Sequence, residues 1–69
     1  MKQVDLTPTE LKIMKLICRQ KSSGEIADEL GYSKRTIEGY RETLLRKTGS
    51  ATVVGIVLYA VRNGIYKIR

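Results

Sequence analysis

The chain has 69 residues, of which 42% are hydrophobic, with one cysteine and no histidine. This length allows a single domain, and the cysteine count rules out an intrachain disulfide as well as a Cys/His zinc site. Without histidine the chain also lacks the usual general base of an enzyme, so we expect no catalytic residues, no metal and no cofactor.

The net charge of +6 lies entirely in the second half of the chain. Residues 1–30 carry five basic and five acidic side chains, whereas residues 31–69 carry eight basic and two acidic ones. A basic face beside a neutral scaffold is typical of a polyanion binder, although charge alone fits a solubilising surface equally well. No apolar run approaches the roughly 18 residues that span a bilayer and no signal peptide is visible, so we expect a cytoplasmic protein without membrane contact.

The first predicted helix begins after Thr7, with Pro8 at its first position and Glu10 completing a Thr-x-x-Glu capping box. Its apolar residues cover more than half of its circumference, which predicts the central core helix. They are Leu11, Ile13, Met14, Leu16, Ile17 and Cys18. We interpret Cys18 as a small core residue, with a reactive thiol as the alternative.

Residues 23–42 have the pattern of a helix-turn-helix. Ser22 and Glu25 form a second capping box, so the second helix begins at Ser22 or Ser23. Gly31 suits the left-handed conformation that ends a helix, and Ala27 is small where the two helices should cross. A third helix follows from about Lys34 to Lys47, with an N-cap at Ser33 and a stop at Thr48-Gly49.

The third helix should turn Ile37, Tyr40, Leu44 and Thr48 toward the core. The opposite face is expected to meet DNA bases in the major groove. The predicted base-facing residues are Arg35, Glu38, Gly39, Arg41 and Glu42. Gly39 in mid-helix would let the backbone approach base edges, although neutral surface variation explains it equally well.

The two glutamates on this face leave two interpretations open. Each can accept a hydrogen bond from cytosine N4, or each can orient a neighbouring cation. The candidate pairs are Glu38 with Lys34 or Arg41, and Glu42 with Arg46 or Arg35.

A second set of residues is predicted to contact phosphates, which fixes the register of the protein on the duplex without reading its sequence. They are Ser22, Lys34, Thr36, Arg46 and Lys47.

The fourth predicted helix runs from about Val53 to Arg62, with Thr52 as N-cap and Asn63-Gly64 as stop. It is apolar nearly all round, and a domain this small cannot bury every side of it. We therefore expect the stripe of Val54, Leu58 and Val61 to form a twofold homodimer interface. In the alternative, Tyr66 and the tail fold back over this stripe.

Several motifs together resemble the LuxR/FixJ-type DNA-binding domain over residues 6–66. They are Leu6-Thr7-Pro8-Thr9-Glu10, Ser22-x-x-Glu25-Ile26-Ala27, Ser33-x-x-Thr36-Ile37-x-x-Tyr40-Arg41, Leu45-x-Lys47-x-Gly49 and Leu58-Tyr59-Ala60-Val61-Arg62-Asn63-Gly64-Ile65. The resemblance implies an all-α, compact four-helix domain containing a helix-turn-helix. It also implies the effector domain of a two-component response regulator, which binds promoter double-stranded DNA as a dimer, reads bases around positions 38, 39 and 42, and has RNA polymerase as a further partner.

This sequence departs from the family pattern at three places. Thr9 stands where arginine is usual and Lys12 where glutamate is frequent, so an ion pair of the first helix should be lost. Tyr40 replaces a frequent histidine, and residues 50–53 lack the basic and polar side chains often found before the fourth helix.

Two other functions remain open for this sequence. One is a sigma-factor region that reads the −35 element, and the other is a protein-interaction module that docks an acidic partner.

Overall fold

The computed structural model describes residues 5–68, and over that range it contains four helices and no strand. These are α1 (Pro8–Cys18), α2 (Ser23–Leu30), α3 (Lys34–Thr48) and α4 (Val53–Arg62). The predicted all-α four-helix fold with a helix-turn-helix, formed by α2 and α3, is therefore confirmed. α3 ends at Thr48, one residue beyond the predicted Lys47.

Both predicted capping boxes are present. The Thr7 backbone N–H donates to Glu10 Oε1 over 2.9 Å and the Glu10 N–H donates back to Thr7 Oγ1 over 3.1 Å. Ser22 and Glu25 repeat this exchange at the start of α2, over 2.8 and 3.1 Å. Each box satisfies two backbone donors that the first turn of a helix leaves free, so the sequence fixes where both helices begin.

A residue in the left-handed backbone conformation follows each of the first three helices. Gly31 and Gly49 follow α2 and α3 with φ of 77° and 65°, as glycine allows without a steric penalty. Gln20 adopts the same conformation after α1 with φ of 66°, and there the Lys21 N–H donates to the Leu16 carbonyl over 3.2 Å. The chain thus turns sharply three times.

The start of α4 differs from the prediction in one respect. Thr52 occupies the N-cap position, but its side chain makes no capping hydrogen bond. The α3–α4 turn is instead held by the hydroxyls of Thr48 and Ser50, which are 2.7 Å apart. A Cβ atom at Gly55 would overlap the Ser50 side chain, so α4 can lie against this turn only because residue 55 is glycine.

The core is centred on α1, as its apolar pattern predicts. Ile13 and Met14 are completely buried and Cys18 is also buried, whereas Leu11 is only half-buried. Completely buried residues of the other helices meet α1 here, and they are Ile26, Ile37, Leu44, Ile56 and Ala60. Because α1 packs against α3 and α4 while α2 packs mainly on α3, the helix-turn-helix is mounted on a rigid support.

No single helix among residues 5–68 is long and apolar enough to cross a membrane. Only α3 and α4 taken together meet the length and composition expected of a span, and they are bent by 60° at the turn between them.

Candidate nucleic-acid interface

The buried residues of α3 determine which of its faces meets solvent. Ile37 and Leu44 are completely buried, and Tyr40 and Thr48 are half-buried on the same side. The opposite side is open to solvent over the length of the helix. Its exposed residues are Lys34, Arg35, Thr36, Glu38, Gly39, Glu42 and Arg46. With one exception, Arg41, the predicted base-facing residues lie on this exposed face.

Gly39 lies in the middle of the exposed face and leaves the backbone bare. A Cβ atom placed there would meet no heavy atom within 4 Å, apart from the neighbours and backbone of its own helix turns. Nothing in the folded chain therefore requires glycine at position 39. The bare surface lies between the charged side chains of Arg35, Glu38, Glu42 and Arg46.

None of the four predicted ion pairs within α3 is formed. Within residues 5–68, neither Glu38 nor Glu42 has a lysine or arginine nitrogen within 4.0 Å, since the ion pair found in this range joins Lys47 to Glu10. The interpretation in which each glutamate orients a neighbouring cation is therefore wrong for the chain by itself. Both carboxylates, and the cations of Lys34, Arg35 and Arg46, remain free for other partners.

Arg41 is placed differently from the other predicted base-facing residues. Its side chain is half-buried, and Nη1 donates a hydrogen bond to Ser23 Oγ over 3.2 Å. Ser23, the first residue of α2, is buried with 7% exposure. Local sequence patterns do not indicate this contact, because the two residues lie 18 positions apart and a serine at a helix start usually serves as a cap.

Lys47, a predicted phosphate contact, has three acceptors within the protein. Its Nζ donates to Glu10 Oε1 over 2.9 Å, to Glu10 Oε2 over 3.1 Å and to the Asp5 carbonyl over 3.1 Å. Glu10 is buried, and its hydrogen bonds with Lys47 and the Thr7 N–H hold its pKa below the usual value. This pair joins the end of α3 to the start of α1, and it involves neither Thr9 nor Lys12, the positions at which an ion pair is expected to be lost.

Hydroxyl groups lie at the starts of both helices of the helix-turn-helix. Ser22 Oγ accepts from the Glu25 N–H and its own O–H remains available as a donor. The Ser33 and Thr36 hydroxyls are 2.9 Å apart, and Ser33 Oγ also accepts from the Thr36 N–H. Above the turn the rings of Tyr32 and Tyr40 lie with centroids 6.0 Å apart, tilted by 43°, so Tyr40 packs where the family often has histidine.

α4 presents an apolar surface that the described chain does not cover. Val54 is 65% exposed and Leu58 is 49% exposed, whereas Val61 is half-buried. Tyr66 packs against the core cluster, and its N–H donates to the Ala60 carbonyl over 3.2 Å. Since Val54 and Leu58 stay exposed, the alternative in which Tyr66 and the tail cover this stripe is wrong for residues 5–68.

Cys18 is buried at the end of α1, and burial raises the pKa of its thiol. A neutral buried thiol is a weak nucleophile, which favours the interpretation as a core residue.

A two-helix motif supported by α1 and α4, with an exposed cationic helix, defines a helix-turn-helix DNA-binding domain. Residues 4–60 match the family described as "Bacterial regulatory proteins, luxR family". The chain belongs to this family, whose members are DNA-binding transcription regulators, as the sequence motifs indicated.

Relatives of known name agree with this assignment. The chain is 42% identical over 60 residues to the transcriptional regulatory protein MctR of Rhizobium johnstonii, covering 87% of this chain and 28% of that protein. It is 32% identical over 63 residues to the response regulator Rre1 of Synechocystis, covering 91% of this chain and 27% of that protein. The chain thus spans little more than a quarter of the length of these relatives.

Two solved structures share the fold. The transcription factor GerE superposes with a TM-score of 0.83 at 26% identity, covering 90% of this chain and 92% of that chain. VqmA of Vibrio cholera, determined as a complex with a ligand and DNA, superposes with a TM-score of 0.85 at 26% identity, covering 100% of this chain and 30% of that chain.

Proposed function

We propose that this domain binds double-stranded DNA in a sequence-specific manner, with α3 in the major groove, as part of a transcriptional regulator. The observation that carries the proposal is the exposed face of α3, where the charged side chains of Arg35, Glu38, Glu42 and Arg46 surround the bare backbone at Gly39. A helix of this width fits the major groove, where each base pair presents a distinct pattern of donors and acceptors. The buried opposite face fixes this orientation.

Arg35, Glu38 and Glu42 face the bases in this proposal, and Gly39 lets the helix backbone approach them. An arginine can donate two hydrogen bonds to guanine O6 and N7, and a glutamate can accept one from cytosine N4. The absence of ion pairs to Glu38 and Glu42 among residues 5–68 supports base contact, because neither carboxylate must first leave a partner.

Phosphate contacts are proposed for the exposed donors at the rim of this face. Ser22 offers a hydroxyl group at the start of α2 and Thr36 one in the first turn of α3, while Lys34 and Arg46 lie toward opposite ends of α3. Lys47 is left out of this set, since its ammonium group already donates to Glu10 and to the Asp5 carbonyl. Contacts of this kind hold the protein in register on the duplex without reading its sequence.

The domain forms a twofold dimer in this proposal, through Val54 and Leu58 of α4 with Val61 at the edge. Exposed apolar side chains in one stripe of a helix favour a symmetric contact. Two copies would place their recognition helices about 34 Å apart, one turn of DNA, on an inverted repeat.

The domain is also proposed to be the effector domain of a longer cytoplasmic regulator, which would act with RNA polymerase at promoters. Similarity to a response regulator over about a quarter of that protein's length supports this proposal.

The test is selection of binding sites from a random pool of double-stranded DNA. We expect a defined inverted repeat, and binding that weakens with salt at a log–log slope of about −0.9 for each phosphate contacted. Glu38→Ala should relax the selected sequence at one position, while Lys15→Ala, on the exposed side of α1, should leave it unchanged. Failure of the wild-type domain to bind any duplex at low salt would refute the proposal, and an unchanged site for Glu38→Ala would remove Glu38 from the base-reading set.

A further inference from the structure

The two helices of the helix-turn-helix are held differently at the two ends of their contact. At the turn, the Ala27 carbonyl of α2 accepts from the N–H groups of the turn residues Gly31 and Tyr32, each over 2.9 Å. At the far end, the Arg41 guanidinium bonds to Ser23 Oγ over 3.2 Å. Between them lies the buried apolar contact that contains Ala27 and Ile37. The Arg41–Ser23 bond is therefore the polar contact that closes the end of α2 remote from the turn.

Arg41 has no other strong partner in the part of the chain that is described. No carboxylate oxygen between residues 5 and 68 lies within 4.0 Å of its guanidinium. Its side chain is half-buried, in contrast to the fully exposed Arg35 and Arg46 on the same helix. Ser23 is buried, so its hydroxyl would lose its partner if Arg41 turned toward DNA, and an unsatisfied buried hydroxyl is unfavourable.

The position of Ser23 makes this bond relevant to DNA binding. Ser23 follows Ser22, whose hydroxyl is proposed to hold a phosphate, while Arg41 lies on the helix that is proposed to read bases. The Arg41–Ser23 bond thus fixes the distance between a phosphate-binding point on α2 and the reading face of α3. Side chains that hold contacting groups in place contribute to binding without touching the ligand.

From this geometry we infer that Arg41 is a positioning residue for DNA recognition, which sets α2 against α3 through Ser23 and does not read a base. The inference rests on the proposed DNA-binding function and assigns Arg41 a role different from that of Arg35, Glu38 and Glu42. It predicts that Ser23, an uncharged residue with only 7% exposure, is needed for DNA affinity.

The experiment is a double-mutant cycle in which affinity for the selected DNA site is measured as a function of salt. Ser23→Ala and Arg41→Ala should each weaken binding by about 5–10-fold, and the double variant should bind no more weakly than either single variant, since both remove the same contact. The salt slope should stay at the wild-type value for Ser23→Ala and Arg41→Ala. Arg46→Ala is the matched control and should lower the slope magnitude by about 0.9, as loss of one phosphate contact requires.

Two further readouts separate positioning from folding and from direct contact. Helix content of both variants should match the wild type, since alanine is a good helix former, and Arg41→Ala, which leaves the buried Ser23 hydroxyl without its partner, should unfold at a lower temperature than Ser23→Ala. Arg41→Lys, which keeps a cationic donor, should recover part of the affinity. The inference is overturned if Ser23→Ala binds like the wild type, or if Arg41→Ala lowers the salt slope as Arg46→Ala does. Lack of any DNA binding by the wild type would instead refute the proposed function.

Discussion

Gly39 is the residue at which the requirements of folding and of the proposed DNA contact diverge. A glycine inside a helix costs about 1 kcal/mol relative to alanine, and a Cβ at this position would meet nothing within 4 Å. The folded chain alone would therefore be more stable with alanine. If α3 lies close to base edges, however, the added methyl group would occupy space that the DNA needs.

We expect Gly39→Ala to raise the free energy of unfolding by about 0.5–1 kcal/mol and to weaken binding to the selected DNA site at least ~10-fold. Urea denaturation gives the first quantity and a fluorescence-anisotropy titration the second. Thr43→Ala, a small change at a half-buried position farther along α3, serves as the control. Unchanged affinity of Gly39→Ala would show that the backbone does not approach the bases closely.

At the level of elements, the ion pair between Lys47 and Glu10 joins two helices whose contacting residues are 37 positions apart. The side chain of Glu10 is 7% exposed and that of Lys47 is 30% exposed. Removing one member of a buried pair leaves the other charge without compensation. Since the pair joins the end of α3 to the start of α1, it holds α3 in place against α1.

Replacing Glu10 by glutamine should destabilise the fold by about 2 kcal/mol at pH 7, less than for a completely buried pair because Lys47 is partly hydrated. The amide oxygen can still accept from the Thr7 N–H, so the change isolates the loss of charge. Urea denaturation at pH 7 measures the effect. Glu25→Gln makes the same change in the capping box of α2, where Glu25 has no ion pair, and should have a smaller effect.

The same pair predicts a dependence of stability on pH. Because the pKa of Glu10 is lowered from 4.5 in the folded state, its contribution is complete above the pKa of the unfolded chain and is lost as the pH falls through the folded pKa. The free energy of unfolding should therefore decrease more steeply below about pH 4.5 in the wild type than in Glu10→Gln. Parallel curves for the two proteins would contradict a lowered pKa of Glu10.

At the scale of the whole molecule, the proposed dimerisation would determine which DNA sites the domain distinguishes. One recognition helix contacts few base pairs, whereas two copies related by a twofold axis read an inverted repeat. The exposed Val54 and Leu58 are available for this contact without rearrangement of the core. A substitution at Val54 or Leu58 should therefore change dimerisation without changing the fold.

We expect Leu58→Glu to keep the fold, since the side chain is 49% exposed, and to abolish cooperative binding to the full inverted repeat. Affinity for a duplex that carries one half-site should be unchanged, which makes that duplex the internal control. Sedimentation of the protein with and without DNA would measure assembly. Equal losses of affinity for the half-site and for the full inverted repeat would show that Leu58→Glu disturbs the DNA contact of a single domain. That result would contradict the role in dimerisation that is proposed for α4.

Sequence alone determined the features that depend on neighbouring residues. The capping boxes of Thr7 and Ser22 and the glycine stop at Gly31 follow from hydrogen bonds and dihedral angles within a few residues. The helical period identified the buried face of α3 and hence the candidate site, because the spacing of Ile37 and Leu44 leaves one orientation. The basic second half and the exposed stripe of α4 were also visible in this way.

Tertiary structure alone decided which of the cations are free. Arg41 and Lys47 look like Arg35 and Arg46 in the sequence, yet Arg41 bonds to Ser23 and Lys47 to Glu10. Those partners lie 18 and 37 positions away, so local patterns do not indicate them. Period and capping are properties of one helix, whereas the partner of a long charged side chain depends on how separate helices pack.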